Sequence, residues 1–313
     1  MRSIISAMAF AALSIHAVHA ADMSSTWARA TASAKNEVSA VHSFAHPPVK
    51  ADPRSASRGA GSTTTYYGTA AGVELDNIGV RPARVWNSTT SLQVISATWT
   101  VPNVEMTIGV CNSGQSKAGE LIALDTADYA YPVLVGGLFM GADCEGSTVS
   151  QNFTPFFQVY DTVYDIGMDV RPGDILNAWV YYSGPTAGSI YIVDVNTGDF
   201  YQTTIQLPAG IAAIGDSAAW WIADQRQNDN GQGGTSVVPL ANYVASFMTD
   251  AYVADGASPA HSYGAGSPGA LNSTLWLDGN FPSLATVAGP STIYFNTTGC
   301  ELNINDCNGL NGQ

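Results

Sequence analysis

The sequence predicts an all-β protein, an antiparallel two-sheet β-sandwich of the concanavalin or jelly-roll kind. From Tyr66 onward, Val, Ile, Thr, Tyr, Phe and Trp gather in short runs, the composition a pleated, half-buried surface favours. Gly, Asn, Asp and Pro turns separate these runs, and no i, i+3, i+4, i+7 apolar stripe lasts beyond about two helical turns. The clearest runs are Ser91–Val101, Phe156–Tyr160, Ile175–Tyr182, Ser189–Val195 and Ser291–Phe295. Asn196, Thr197 and Gly198 sit between two of them and read as a hairpin turn. Short strands of this kind close into a sandwich or a barrel rather than an α/β fold. The low-complexity stretch 256–268 is expected as a surface loop between the last strands.

The chain has 313 residues and is 46% hydrophobic, enough to bury a sizeable core. Only 12% of residues are charged, yet the net charge is −14, so hydroxyl, amide and glycine groups must supply most of the surface. Charge is also unevenly placed. Arg29, Lys35, Lys50, Arg54 and Arg58 fall between residues 21 and 60, whereas the remainder carries five Lys and Arg against 22 Asp and Glu. An acidic body argues against nucleic-acid binding, which needs clustered Lys and Arg to neutralise phosphates.

Residues 1–20 start Met1-Arg2, continue apolar and uncharged, and end in small residues before Ala21, the layout of a secretory signal peptide. The apolar run is too short for a membrane anchor, and no later segment reaches the roughly 18 residues that a spanning helix needs. Residues 21–60 contain Pro47, Pro48 and Pro53 with little periodicity. They read as a basic propeptide or linker, held on the acidic body 61–313 by charge complementarity. The expected location is therefore extracellular. Four cysteines suit an oxidising destination, and the preferred pairing is Cys111 with Cys144 and Cys300 with Cys307. The spacing lacks a CxxC, which argues against zinc.

The inventory narrows the chemistry. His261 is the one histidine of the body and lies in the low-complexity stretch, where it is expected to be solvated rather than part of a Ser-His-Asp triad. Asp194, Asn196 and Asp199 could bind calcium, but a hairpin turn explains them more simply. Neither a metal nor a cofactor is expected. The run Gly215–Arg226 is the most unusual strand, because alternation sets Trp220, Ile222 and Asp224 on one face and Ala219, Trp221 and Ala223 on the other. Either both tryptophans are core, or one lines a cleft.

Three segments carry a family resemblance: Tyr67–Val73, Ala97–Pro102 and Ala219–Asp224, in that order, with further strands out to Asn296. Together with a basic prosegment and an acidic body, they resemble the glutamic peptidases, the eqolisin family. That resemblance implies a sandwich with a substrate cleft and a Gln/Glu dyad that activates water against a peptide bond at acid pH. The family's Gln lies about ten residues after an Asp; here Val135 stands ten after Asp125. The family's Glu falls on Trp220. Neither an isopropyl group nor an indole N–H can take a proton from water.

The expectation is therefore a secreted, acid-acting endopeptidase homologue with a divergent or lost dyad, whose partner is a polypeptide. If the chemistry has moved, its candidate residues are Gln158, Asp224 and Asp125, with Trp220, Phe156 and Tyr160 contacting substrate. The competing expectation is a non-catalytic carbohydrate- or peptide-binding module, with aromatic side chains as its binding surface.

Overall fold

The computed structural model describes residues 65–68, 70–76, 86–105, 115–126, 131–145, 148–224, 226–228, 235–237, 240–243, 245–257, 260–267, 270–277 and 280–297. All of them belong to the second of two compact units, Val41–Gln313. The expected signal peptide and prosegment, together with Cys111, Cys300 and Cys307, lie outside the described residues.

All regular structure among the described residues is strand. In chain order the strands are β1 (Thr65–Gly68), β2 (Ala70–Asp76), β3 (Leu92–Thr100), β4 (Gln115–Leu124), β5 (Leu134–Glu145), β6 (Thr148–Val159), β7 (Thr162–Asp165), β8 (Ile175–Gly184) and β9 (Ala187–Asp194). There follow β10 (Phe200–Gln206), β11 (Ser217–Asp224), β12 (Arg226–Asn228), β13 (Thr235–Val237), β14 (Ala245–Asp255), β15 (Ser262–Gly264), β16 (Leu271–Leu277), β17 (Asn280–Gly289) and β18 (Thr292–Thr297). The main hydrogen-bonded path runs β10-β9-β8-β3-β14-β18-β17-β16-β2-β11-β4-β5-β6-β7. It forms two layers, β10 to β17 and β16 to β7, and every pairing along it is antiparallel. The predicted sandwich is the observed architecture.

The layers are held by one large apolar core drawn from both, including Ile95 and Trp99 of β3, Leu138 and Met140 of β5, Val180 of β8, Ile190 of β9 and Phe295 of β18. Side chains that alternate along each strand make this possible. Two glycines set how closely the layers approach. A Cβ on Gly136 would lie 3.1 Å from Val180 Cγ2, and one on Gly188 would lie 2.6 Å from Leu134 Cδ2. The central strand β5 is buried along both faces from Leu134 to Ala142. One face meets the opposite layer; the other belongs to a second, smaller cluster described below.

Local predictions resolve in detail. The 194–199 turn forms with Gly198 at φ 80, and the buried Asp194 carboxylate accepts from the Asn196 amide (2.8 Å) and the Thr197 hydroxyl (2.9 Å). Its lone pairs therefore serve the turn. The stretch 256–268 is not wholly loop, since Ser262–Gly264 forms β15 on β14. His261 is exposed as expected, but its Nδ1 pairs with the Asp255 carboxylate at 2.7 Å. Burial pushes the Asp255 carboxyl up; hydrogen bonds from the His261 ring and amide and the Ala257 amide outweigh it and hold the group below its ordinary value.

Candidate functional site

Strand register assembles the site. On β11, Trp220 and Ile222 point between the layers, whereas Ala219, Trp221 and Ala223 point to the other face of their sheet. From Ala219 the pairings run Glu74 (β2), Ala219 (β11), Ala123 (β4), Val135 (β5), Gln158 (β6) and Val163 (β7), one continuous cross-strand row. The next row on that face is Gly72, Trp221, Leu121, Gly137, Phe156 and Asp165. Around these rows lies the second apolar cluster, whose members all come from this one layer. Gly72 makes room for Trp221, because a Cβ there would lie 2.5 Å from the indole Cδ1. Phe156 stacks on Phe139 with centroids 3.9 Å apart and planes 17° from parallel.

Gln158 is the buried amide of this face. Its side-chain N–H donates to the Tyr160 carbonyl, while its buried Oε1 has no hydrogen-bond partner. Leaving a buried acceptor unmet costs about 1–3 kcal/mol, so this group is held where a ligand donor would be rewarded. Tyr160 closes the β6–β7 turn at φ 53, and its ring meets Tyr131 edge-on at 5.4 Å. Phe156 and Gln158 thus share a face as the sequence predicted, with Tyr160 at its end.

Trp220 does not join them. It is fully buried between the layers, and its indole N–H donates to the Ser96 carbonyl across the sandwich at 2.9 Å. Trp220, expected to contact substrate, thus lies in the inter-layer core, whereas Trp221 lies on the face of Phe156 and Ala219 is the β11 residue in the row of Val135. A one-residue step along a strand reverses the face.

Asp125 is a clamp. At φ 54 and fully buried, its carboxylate accepts from the backbone amides of Ile214 (2.8 Å), Gly215 (2.6 Å) and Asp216 (3.1 Å) and from the Tyr182 hydroxyl (3.0 Å). Burial pushes its carboxyl up, against the pull of those four donors. With its lone pairs committed, it positions the segment entering β11 and has no free oxygen to offer water. Asp224 pairs by backbone with Ala118 at the far end of β11. Its side chain lies outside the described residues.

Sequence reasoning missed Glu74, Ala123, Ala219 and Trp221. The signal that could have found them was cross-strand register, which alternation within a single strand does not contain. It also missed Glu120, a carboxyl enclosed between the layers. The Ser246 hydroxyl of the opposite layer donates to its Oε1 at 2.8 Å, and Oε2 has no partner. Burial pushes this carboxyl up to about 8, only partly offset by Ser246. Among the described residues no group of three or more His, Cys, Asp or Glu is placed to hold a metal ion.

Residues 83–272, more than half of the chain, match the Peptidase A4 family. This chain belongs to the Peptidase A4 family. Its fold is similar to that of scytalido-glutamic peptidase bound to a peptide-based transition-state analogue, at TM-score 0.55 and 17% identity, covering 76% of this chain and 100% of that one. The eqolisin-family peptidase SCP-B, solved with the tripeptide Ala-Ile-His, is similar at TM-score 0.53, with the same identity and coverage. No curated protein matches the chain. Peptidase A4 membership and the eqolisin-like sandwich thus agree with the resemblance read from residues 66–296.

Proposed function

We propose that this Peptidase A4 member is a secreted protein that engages extended polypeptide at acid pH on the β11–β4–β5–β6 face, without hydrolysing it through the family dyad. The observation that carries this is the row Ala219, Ala123, Val135: three alkyl side chains where the resemblance calls for an acid and an amide. The conclusion does not depend on exact alignment. Residues 218–221 read Ala-Ala-Trp-Trp and residues 132–137 read Pro-Val-Leu-Val-Gly-Gly, with no carboxyl or carboxamide in either.

A moved dyad has one specific observation behind it, since the same row ends in two polar groups, Glu74 and Gln158. Distance decides against it. Val135 and Ala219 are two strand spacings apart, about 10 Å, whereas Glu74 and Gln158 are four apart, about 19 Å along the sheet. Glu74 is moreover engaged by the Thr126 hydroxyl. A single water cannot be shared over that span, so Gln158 serves as a ligand acceptor, with Phe156 and Trp221 as its apolar walls.

The acid setting is supported by the excess of carboxylates in the body and by Glu120, which is neutral only below about 8. The basic segment 21–60 is its propeptide by charge reversal. We pair Cys111 with Cys144, which is disulfide-bonded, and Cys300 with Cys307 across the short Asn- and Asp-rich stretch between them. The test holds purified protein with an unfolded protein substrate at about pH 4, near the carboxyl pKa. Calorimetry with its peptides should show binding, and mass spectrometry should show no fragments. Substrate fragments from wild-type protein would overturn the reading.

A further inference from the structure

The other layer presents a surface of different chemistry. On the outward positions of β10, β9, β8, β3 and β14 the ladder carries no charged side chain apart from Asp250, at the bulge in β14, although the chain as a whole carries −14. Those positions hold aromatic rings set among hydroxyl and amide groups. Trp179 of β8 pairs with Tyr191 of β9 on one side and Ser96 of β3 on the other, and Ser96 pairs in turn with Tyr252 of β14. Phe200 of β10 lies against Tyr191 with centroids 6.0 Å apart. Trp179, Tyr252 and Phe200 remain 37%, 38% and 54% exposed.

The exposed tryptophan is also fixed in place. Its indole N–H donates to Asn177 Oδ1, and the Asn177 amide donates to the Thr98 hydroxyl at 2.7 Å. A lone exposed aromatic needs no explanation, but a ring locked by two successive hydrogen bonds within an aromatic row is a preorganised platform. The strand positions of Trp179 and Tyr191 are one strand spacing apart, roughly 5 Å, and those of Trp179 and Tyr252 two, about 10 Å. Such a row runs across the strands and suits a ligand that is itself long, regular and flat.

We propose that this face binds a neutral polysaccharide, with pyranose rings laid on Trp179, Tyr191 and Tyr252 and their hydroxyls met by the neighbouring amide and hydroxyl groups. Charge selects this occupant. An anionic membrane surface would need Lys or Arg, which the face lacks on a chain that is already strongly acidic. Protein interfaces draw on Arg and a polar rim, whereas this surface, Asp250 apart, offers uncharged rings and hydroxyl partners. Sugar rings present an apolar face and a hydroxyl edge, the two features that stacked aromatics and amides recognise. The site lies on the opposite layer from the peptide row and does not rest on the reading of that row.

The experiment is retention of the purified full-length secreted protein on microcrystalline cellulose, chitin and an insoluble β-1,3-glucan, at about pH 4 and pH 7 and in low and high salt. Wild-type protein should be retained on at least one polymer with little salt dependence, because no ionic contact is involved. Removal of two stacking rings in Trp179→Ala/Tyr252→Ala should weaken retention at least about tenfold, with unchanged thermal unfolding. Asn177→Leu, which frees the indole without removing a ring, should give an intermediate loss. Absence of retention on all three polymers, or retention equal in wild type and double variant, would overturn the proposal. So would concentration-dependent dimerisation that the same double variant abolishes, since the face would then be a contact between copies of the chain.

Discussion

Glu120 should make the stability of this protein depend steeply on pH, and its replacement isolates the effect. The carboxyl is sealed between the two layers, with Ser246 as its one hydrogen-bond partner and Oε2 unmet. Its pKa rises from an ordinary 4.5 to about 8 in the folded state, so the folded state holds the proton more tightly than the unfolded chain. The associated stability is fully present below pH 4.5 and is lost as pH rises toward 8. At about 1.36 kcal/mol per unit, the loss approaches about 3 kcal/mol at pH 7 and about 5 kcal/mol above pH 8. For a body of this size the pH 7 figure corresponds to a fall in Tm of roughly 6–12 °C. Glu120→Gln keeps the shape and an acceptor for Ser246 but cannot ionise. Thermal unfolding of wild type and variant between pH 4 and pH 8 should therefore converge at acid pH and separate by that amount near neutrality. General repulsion among the surface carboxylates lowers both curves alike, so the difference between them reports Glu120. Parallel curves over the whole range would refute the reasoning and mean that water or relaxation solvates the carboxyl in the folded state.

Asp125→Ala removes the acceptor that three backbone N–H groups and the Tyr182 hydroxyl share, and should cost about 3–5 kcal/mol in urea unfolding at pH 5. Asp125→Asn, which keeps one acceptor oxygen and tolerates the left-handed backbone, should cost clearly less; equal losses would mean the clamp is not electrostatic. Val135→Gln/Ala219→Glu should create acid cleavage of unfolded protein at least roughly 10²-fold above the parent, and continued inactivity in a folded double variant would show that more than the dyad has been lost. Trp220→Glu should instead fail to fold, since it places a carboxyl in the inter-layer core and forfeits roughly 3–5 kcal/mol of burial; a folded, stable product would contradict the face assignment. N-terminal analysis of the mature protein should begin near residue 60, and an intact start near Ala21 would sink the propeptide.

Much of the fold was legible because β-branched and aromatic runs punctuated by Gly, Asn and Pro admit few architectures. Ser91–Val101 contains β3, Ile175–Tyr182 lies within β8, Ser189–Val195 overlaps β9 from Ser189 to Asp194, and the 196–198 turn forms where Asn-Thr-Gly stands. The site was only half legible. Phe156 and Gln158 alternate onto one face within a single strand, which sequence can show, but their neighbours come from β2, β11, β4 and β5. Those partners are fixed by pairings between residues far apart in the chain, such as Glu74 with Ala219 and Gly72 with Trp221. Asp125 reads as a retained acid because a clamp and a catalyst look the same in sequence; the four donors that occupy it come from residues 182 and 214–216.

Trp220 shows how small an error separates a site residue from a core residue. Aligning by likeness placed the missing acid at Trp220, whereas the register of β11 against β4 and β5 places Ala219 in the row of Val135, one residue away and on the opposite face. Neither Trp220 nor Ala219 is ionisable, so loss of the acid holds for either position. The physical picture does change. An alanine beside Ala123 leaves the row low, with Trp221 and Phe156 in the next row and the unmet Oε1 of Gln158 beyond Val135. The row is buried, from 0% exposed at Ala219, Phe156 and Gln158 to 4% at Trp221, so a peptide backbone, whose N–H groups are the donors that Gln158 lacks, must displace what covers it. Loss of hydrolysis and retention of binding are therefore compatible at this site. Gln158→Leu separates them: it should weaken peptide binding at about pH 4 by roughly 1–3 kcal/mol, about 5- to 150-fold in Kd, while leaving thermal stability equal or higher.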